Sequence, residues 1–591
     1  MDDGLPYCYG VQRSARGLAW QWRCGDDDAV SEMVARASVD DLTARLLVGR
    51  GVSPEEAAKF LAPTLRDYLP NPSSLADMDK AANAIVSAVK AGQTITVFAD
   101  YDVDGGTSAA QLIRWARHFG ATFGLYVPDR VEEGYGPTAE AFRSLKSDGN
   151  DLVITVDCGA AAHSALMEAA NIDLPVVVID HHMMHGDHPP ALALVNPNRD
   201  DDTSGLGHLA AAGVTFMLLV ALNREARVQG LGEGPNLLNL LDLAALGTIC
   251  DVVPLTGLNR AIVAQGLHVL SKSTHLGINA LADVAGAEPP YTTYHGGFIL
   301  GPRINAGGRI GRADMGAEML STENAQLAYA SASELDRVNT ERKALQAAML
   351  DEALTKAQAL PDDRALTLVS MDGWHPGVIG IVAGRLKDRF DRPAIVIGVN
   401  ADGIGKGSGR SMAGANLGAA ITQAKEAGLL TSGGGHPMAG GLTVEADKIP
   451  ALYDFLDAAL KDQVAEARKN LSLKVDAAVK PSAATPELIA RMKAVGPYGA
   501  GHPQPRFVLP DMTVAYAERV RGGHVRCSFS DSGGQRVSGI CFRAEEMGLD
   551  SLLLAPNPPR VHVLGRIRED IWKGRVRIDL NVEDLAVAEP S

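Results

Sequence analysis

Cysteine is scarce and poorly placed for structural chemistry. Cys8, Cys24, Cys158, Cys250, Cys527 and Cys541 are scattered over 591 residues with no CxxC pair. That disfavours a structural zinc site or a disulfide framework and suits a reducing cytosol. Long apolar runs are missing too. The longest, Leu209 to Leu222, covers 14 residues and reads as a buried helix, short of the roughly 18 that a membrane span needs. The first residues, Met1-Asp2-Asp3-Gly4, lack the basic-then-apolar order of a secretion signal, so a cytoplasmic chain with no membrane partner is expected. Internal repeats and low-complexity tracts are absent. So is an excess of positive charge: 55 basic against 71 acidic residues give a net charge of −16, which taken whole argues against a nucleic-acid partner. Charge is local, however. Residues 500–580 hold 12 Lys and Arg against nine Asp and Glu, a basic appendage of about +3 on an acidic remainder, compatible with polyanion binding.

What is present is an ordinary globular composition, 46% hydrophobic and 21% charged, with 62 glycines. The length implies about three to five domains. Residues 1–75 carry no readable motif. From 76 onward, apolar strands alternate with helical stretches (107–119, 137–147, 160–170), the pattern of a parallel sheet covered on both faces. The strands Thr94–Phe98, Leu152–Val156 and Val176–Ile179 all run into aspartates, at the sheet edge where such folds bind ligands. Residues 323–360 contain no Gly or Pro and read as one helix of roughly 55 Å, capped by Thr322 and able to bridge two lobes; a helix–turn–helix is the alternative. A second α/β region covers 361–465, with strands near Ala365–Val369 and Ala394–Val399 and a Gly-rich stretch at 403–441. From 466 to 591 the texture is β: Val576, Ile578, Leu580 and Val582 alternate with polar residues, Trp572-Lys573-Gly574 reads as the turn back to a strand at Val561–Ile567, and a small OB-like barrel is expected.

The chemistry concentrates in acids. Asp100, Asp102 and Asp104 stand at alternate positions just after a strand, spaced to aim at a common point. Like charges this close are costly unless cations hold them, and hard oxygen-rich sets select Mn²⁺ or Mg²⁺ over zinc. Asp157, Asp180-His181-His182 and Asp251 end the other elements of the same region. Four such turns at one sheet edge predict a two-metal site of the kind that performs in-line phosphoryl displacement.

Asp100-Tyr-Asp-Val-Asp-Gly105, Val156-Asp-Cys-Gly159, Asp180-His-His182 and Gly247-Thr-Ile-Cys-Asp251 together resemble the four motifs of the DHH phosphoesterases. Trp374–Gly380, Gly407–Ser411 and Ser432–Gly441 are similar to their DHHA1 partner domain. The resemblance spans residues 76–590. It implies a parallel-sheet DHH domain (76–322), a connecting helix (323–360), a smaller α/β DHHA1 domain (361–465) and the OB-like barrel (466–591). It implies that Asp102 ligates one metal with Asp100 beside it, that Asp104, His181 and Asp251 hold the other, and that Asp157 bridges both. His182 would donate a hydrogen bond or proton at the scissile phosphate, making His182, Asp157 and Asp104 the catalytic core. The pyrophosphatase branch carries a His where this chain has Phe98, which implies a looser hold on the first metal.

Substrate contacts follow in the same terms. Arg130 resembles an arginine that meets a 5′-phosphate in the family's exonuclease branch, with Ser408 and Arg410 as its partners across the cleft. Gly301–Arg312 places Arg303, Asn305 and Arg309 in what reads as a glycine-permitted loop fit to cradle a phosphate backbone. His436, among five glycines at 433–441, reads as a phosphate donor. Basic residues beside Tyr498, Phe507, Phe529, Phe542 and Trp572 would suit stacking on unpaired bases, most of these rings being barrel core. The resemblance thus implies a monomeric, two-metal 5′→3′ exonuclease on single-stranded DNA in recombination and repair, with a helicase or single-strand-binding protein as the protein partner to seek. A smaller phosphodiesterase acting on short oligoribonucleotides or cyclic dinucleotides is the alternative, and a replication scaffold without activity a third reading. The long basic tail speaks against the second, the complete ligand set against the third.

Overall fold

In a computed structural model, residues 5–130, 133–184, 186–572 and 575–588 are described. The turn expected at Trp572-Lys573-Gly574 lies outside them at Lys573 and Gly574. Five parallel strands form the first sheet, in the order Phe123–Tyr126, Ile95–Ala99, Leu152–Val156, Val176–Ile179, Ala193–Val195. The three central ones are apolar but for Thr96 and Thr155 and buried along their length, as sheets covered on both faces demand. The chain steps outward to Phe123–Tyr126 and then back past Ile95–Ala99 to Leu152–Val156. The order therefore reverses between these last two strands, and a crevice opens beyond their carboxyl ends. Asp100 follows one of them and Asp157 the other.

Residues Ala325–Gln358 form a single 34-residue helix, about 51 Å long. Its cap is Asn324, not Thr322: Asn324 directly precedes the first helical residue, and its side-chain oxygen accepts from the two free N–H groups of Gln326 and Leu327. Ala328, Ala332 and Leu335 sit in the core of the first domain, while Met349, Ala353 and Ala357 pack with Val378, Ile379 and Val382 of the next. One rigid rod thus shares its apolar stripe between two cores and fixes the cleft between them. The Gly-rich stretch at 403–441 is largely strand: Ile404–Arg410, Ser432–His436 and Ala439–Glu445 complete a mixed sheet with Ala394–Val399 and Thr367–Asp372.

The C-terminal strands Phe507–Val520, His524–Ser530, Arg536–Cys541, Arg575–Val587 and Val561–Trp572 pair in that order, and the last pairs back on the first. The result is a closed, OB-like barrel whose interior includes Phe507 and Phe529. Tyr498 and Phe542 are half-buried, the first stacked on His502 at 5.0 Å, the second with Arg568 5.0 Å above its ring. The N-terminal segment holds the barrel in place: Ala19–Trp22 pairs in parallel with Ser472–Val475, and Arg23 and Arg50 both reach the buried Asp476 at 3.0 and 2.8 Å. Arg260, fully buried, donates to the carbonyls of Phe60, Val495, Gly496 and Pro497, tying three parts of the chain together. Among the described residues no helix is long and apolar enough to cross a membrane.

His502 lies in that joint, its Nε2 donating to Val495 O at 2.9 Å. Burial, reinforced by Arg50, lowers its pKa to about 3 from an ordinary 6.5 or so. The unfolded chain therefore binds a proton in this window that the folded chain refuses. Stability contributed by neutral His502 is complete above about pH 6.5 and lost as pH falls, by roughly 2–3 kcal/mol at pH 4.5. Denaturant titrations of wild type and His502→Gln should show the variant's stability falling less between those pH values; parallel curves would contradict the assignment.

Candidate active site

The helix after the first strand begins at Val103, four residues earlier than its apolar pattern indicates. Asp102 is its cap, one carboxylate oxygen accepting from the amides of Asp104 and Gly105 at 2.8 and 3.2 Å. Gly105 is required there, since a Cβ would stand 2.4 Å from Asp100 O. Winding the motif into a first helical turn separates its acids, so the three do not converge on one point. Asp100 and Asp102 gather with Asp157, while Asp104 gathers with His181 and Asp251. Asp104 is pinned by the amides of Ala211 and Ala212 at 2.7 and 2.8 Å, the start of a helix whose dipole favours a carboxylate. Asp157 belongs to both neighbourhoods, 3.3 Å from His181 Nε2, and is held in left-handed backbone at φ 60°, a strain typical of functional positions.

Electrostatics single out the same groups. Burial first, and the neighbouring acids second, push Asp100, Asp104 and Asp157 well above the usual carboxylate range, and Asp251 to about 7. Burial and the adjacent His182 lower His181 to about 4. Its Nδ1 donates to Leu209 O at 3.0 Å, which turns the lone pair of Nε2 toward the acids. Asp100 Oδ1, Asp157 Oδ1 and His181 Nε2 are buried with no hydrogen-bond partner. Orphaned buried oxygens around a neutral imidazole fit a hard divalent cation, and two adjacent groups of this kind fit a pair. Phe98, by contrast, is core, stacked on Tyr126 at 5.0 Å.

His182 differs from its neighbour. Burial opposes its charge, but Asp180, 2.7 Å from Nδ1, outweighs that and raises it to about 9. Asp180 also accepts from the amides of His181 and Ala160 and drops to about 2: burial opposes this, and the bond to His182 prevails. The Tyr135 hydroxyl lies 3.2 Å from His182 Nε2.

Beside the acids, Arg130 lies over the Tyr101 ring at 5.1 Å and lines a cavity of about 220 Å³ with Arg309 and Gly308, and with His375 from across the cleft. Burial, then the charges of Arg130, Arg342 and Arg410, lowers Arg309 to about 10. Arg410 donates to Ser408 Oγ at 3.2 Å and is likewise lowered by burial and by Arg130. Arg130, Arg309, Arg410 and Ser408 thus converge from both lobes. Arg303 does not join them. Gly301–Ile310 is a helix, not a loop; Gly308 permits it by lying where a Cβ would meet Tyr101 O at 2.6 Å. On that helix Arg303 pairs with Asp336 at 2.8 Å, and Asn305 accepts from the Val103 amide at 3.1 Å, bracing the acidic turn. His436 is exposed near the hairpin joining Ser432–His436 to Ala439–Glu445, where Ala439 pairs with Arg410. Asp180, Tyr135 and His375 were missed as individual site residues. Asp180 and His375 lie inside quoted motifs, and Tyr135 reaches His182 from 47 positions away.

Comparison with known proteins agrees with this architecture. The chain matches the DHH family, N-terminal domain, over residues 94–248, the DHHA1 domain over 363–462 and the RecJ OB domain over 475–584. It is 34% identical to the single-stranded-DNA-specific exonuclease RecJ of Bacillus subtilis (strain 168) over 97% of this chain and 72% of that one. To the Escherichia coli (strain K12) protein of the same name it is 34% identical over 80% of this chain and 83% of that one. The crystal structure of RecJ in complex with Mn²⁺ from Thermus thermophilus superposes with a TM-score of 0.79 at 30% identity, covering 96% of this chain and 78% of that one. By domain content, identity and coverage alike, the chain belongs to the RecJ family.

Proposed function

We propose that this chain is a divalent-metal-dependent exonuclease that hydrolyses single-stranded DNA from the 5′ end to mononucleotides, in recombination and repair. The observation that carries the reading is the pairing of two ligand clusters with an arginine pocket assembled from both lobes. Asp100, Asp102 and Asp157 would hold one Mn²⁺ or Mg²⁺, and Asp104, His181 and Asp251 the other, with Asp157 shared. Two such ions activate a water and neutralise the leaving oxygen in phosphoryl displacement. The chain's own groups do the rest. Arg130, Arg309 and Arg410 receive a terminal 5′-phosphate, for which guanidinium is suited by its bidentate donors and permanent charge. Charged His182, anchored by Asp180, donates to the scissile phosphate, gives its proton to the departing 3′-oxygen and regains one from the attacking water. Asn305 holds the acidic turn in register. A strand enters phosphate first, and the slot between lobes excludes a duplex by shape.

The barrel favours a polymer over a cyclic dinucleotide or short oligoribonucleotide. Arg526, Arg568 and Arg577 surround Asp579 on its surface, and a helicase or single-strand-binding protein would deliver the strand to a monomeric enzyme. Replacing Arg526 and Arg577 by alanine should flatten the dependence of log K on log[salt] for long single strands by about 0.7 for each phosphate no longer neutralised. Fluorescence titrations across salt concentrations measure it. An unchanged slope would reduce the barrel to a buttress.

A further inference from the structure

The helix Val103–His118 starts among the metal ligands and ends far from them. Ile95–Ala99 and Phe123–Tyr126, the strands before and after it, pair in parallel, so the helix between them must carry the chain back across the sheet. Its last turns therefore lie at the edge opposite the aspartates, with Arg114 roughly 15 Å along the axis from Asp104. A cavity of about 520 Å³ opens there, and Arg114, Arg117, His118, Asn236, Asn239 and Glu323 are among the residues that line it.

Its walls are fixed in place. The ring N–H of fully buried Trp115 donates to Asn223 Oδ1 at 2.8 Å, and Asn223 Nδ2 donates in turn to Pro235 O at 3.0 Å. Gly234 is required beside them, since a Cβ would stand 1.9 Å from Asn223 Oδ1. Asn236 Oδ1 accepts from the Leu238 amide at 3.1 Å, which orients its carboxamide and leaves the N–H groups unspent. Arg117 donates to Ser321 O at 2.9 Å and pairs with Glu323 at 3.4 Å, and His118 Nε2 lies 3.0 Å from Glu233 O. Cations in a last helical turn also answer the helix's own dipole. Arg114 is a turn earlier and differs from both: it is half-buried, and among the described residues it has no hydrogen bond or ion pair. Asp242 and Glu323 favour its charge through space, but Asp242 is spent on the Leu243 amide and the Ser273 hydroxyl, and Glu323 on Arg117. A permanently charged group held half out of water without a partner fits an anion supplied from outside.

We propose that this cavity is a second nucleotide site, in which Arg114 receives the phosphate of a free nucleoside phosphate and the carboxamides of Asn236 and Asn239 meet its base. The volume lies within the range of roughly 300–1,000 Å³ typical of small-ligand pockets. A carboxamide presents a donor and an acceptor side by side, the pattern that pairs with an adenine edge. A concave cavity with a rigid wall suits a compact ligand better than an extended acidic peptide, which binds along grooves and sheet edges. A strand lying over the metal ligands occupies the other edge of the sheet and leaves this one open. The site is therefore independent of the nuclease reading.

Equilibrium dialysis against labelled dAMP, with Mn²⁺ present, tests it. One bound equivalent should survive Arg410→Ala and be weakened on the order of tenfold or more by Arg114→Ala, the scale of losing a charge-assisted contact. Asn239→Asp, at an exposed position where the fold is undisturbed, should weaken the same equivalent by a similar factor through charge repulsion. Its kcat/KM on single strands should stay at the wild-type value. Inorganic phosphate and a hexaglutamate peptide should each compete for this equivalent far less well than unlabelled dAMP. Failure of wild type to bind dAMP, binding that either Arg114→Ala or Asn239→Asp leaves unchanged, or binding abolished by Arg410→Ala would overturn the site. So would equal competition by phosphate, which would leave only a bare anion hole, or by the peptide, which would make the cavity a dock for an acidic protein segment.

Discussion

Asp157→Ala should lower kcat/KM on single-stranded DNA by at least about 4 kcal/mol, roughly a thousandfold, in a protein that remains folded. Among the described residues Asp157 is the one carboxylate that belongs to the neighbourhoods of both His181 and Asp100, so its loss would loosen both ions and not just one. The fold should tolerate the change because the buried oxygen Oδ1 has no hydrogen-bond partner to strand. Without metal, deleting one of several mutually repelling buried acids relieves charge and offsets the lost packing. Alanine at φ 60° costs about 1–2 kcal/mol of backbone strain. Asp157→Asn, whose side chain tolerates left-handed backbone, separates that strain from ligand loss. Melting curves with and without Mn²⁺ complete the test: wild type should be stabilised by the ion, and both variants much less so. Near-normal turnover in either variant would dismiss the two-metal assignment.

Removing the substrate's 5′-phosphate should weaken kcat/KM by roughly 1–3 kcal/mol, and Arg410→Ala should do the same, the scale of a charge-assisted contact. Made together, the two changes should cost little more than either alone, because both delete one interaction. Arg410 spends one guanidinium nitrogen on Gly409 O at 2.8 Å and on Ser408 Oγ at 3.2 Å, which holds its side chain in place. Clustered guanidiniums depressed by burial and mutual repulsion are relieved by an anion, so the phosphate should also raise stability in a melt with a 5′-phosphorylated mononucleotide. Fully additive losses would place Arg410 outside the phosphate pocket.

Much of this site was legible because buried parallel strands are apolar to their ends, so the acids that follow them stand out: Asp100, Asp157 and Asp180 mark the sheet edge without any structure. The division of Asp100, Asp102 and Asp104 between two clusters was not legible from spacing alone. It depends on Asp102 capping a helix that begins at Val103, and a local cap leaves no periodic signal. Gly301–Ile310 was misread because three glycines and a proline signal a loop. Here the glycines serve tight packing against Tyr101 and Cys250, and Pro302 sits where the π-helical turns of His295–Leu300 give way to the α-helix. That misreading also sent Arg303 to the substrate, when a helix carries it to Asp336. Segment 1–75 showed no motif because its work is done by scattered residues, Trp20, Arg23 and Arg50, whose partners Asp584 and Asp476 lie more than 400 positions away.

Polarity is the central claim, since it follows only if the phosphate pocket receives the 5′ end of a strand whose first phosphodiester lies over the metal ligands. A single strand labelled at its 5′ end and, separately, at its 3′ end should be digested with Mn²⁺ and the first products resolved. The account predicts that the 5′ label appears at once as a mononucleotide while the 3′ label stays in progressively shorter strands. Early release of the 3′ label as a mononucleotide would contradict it.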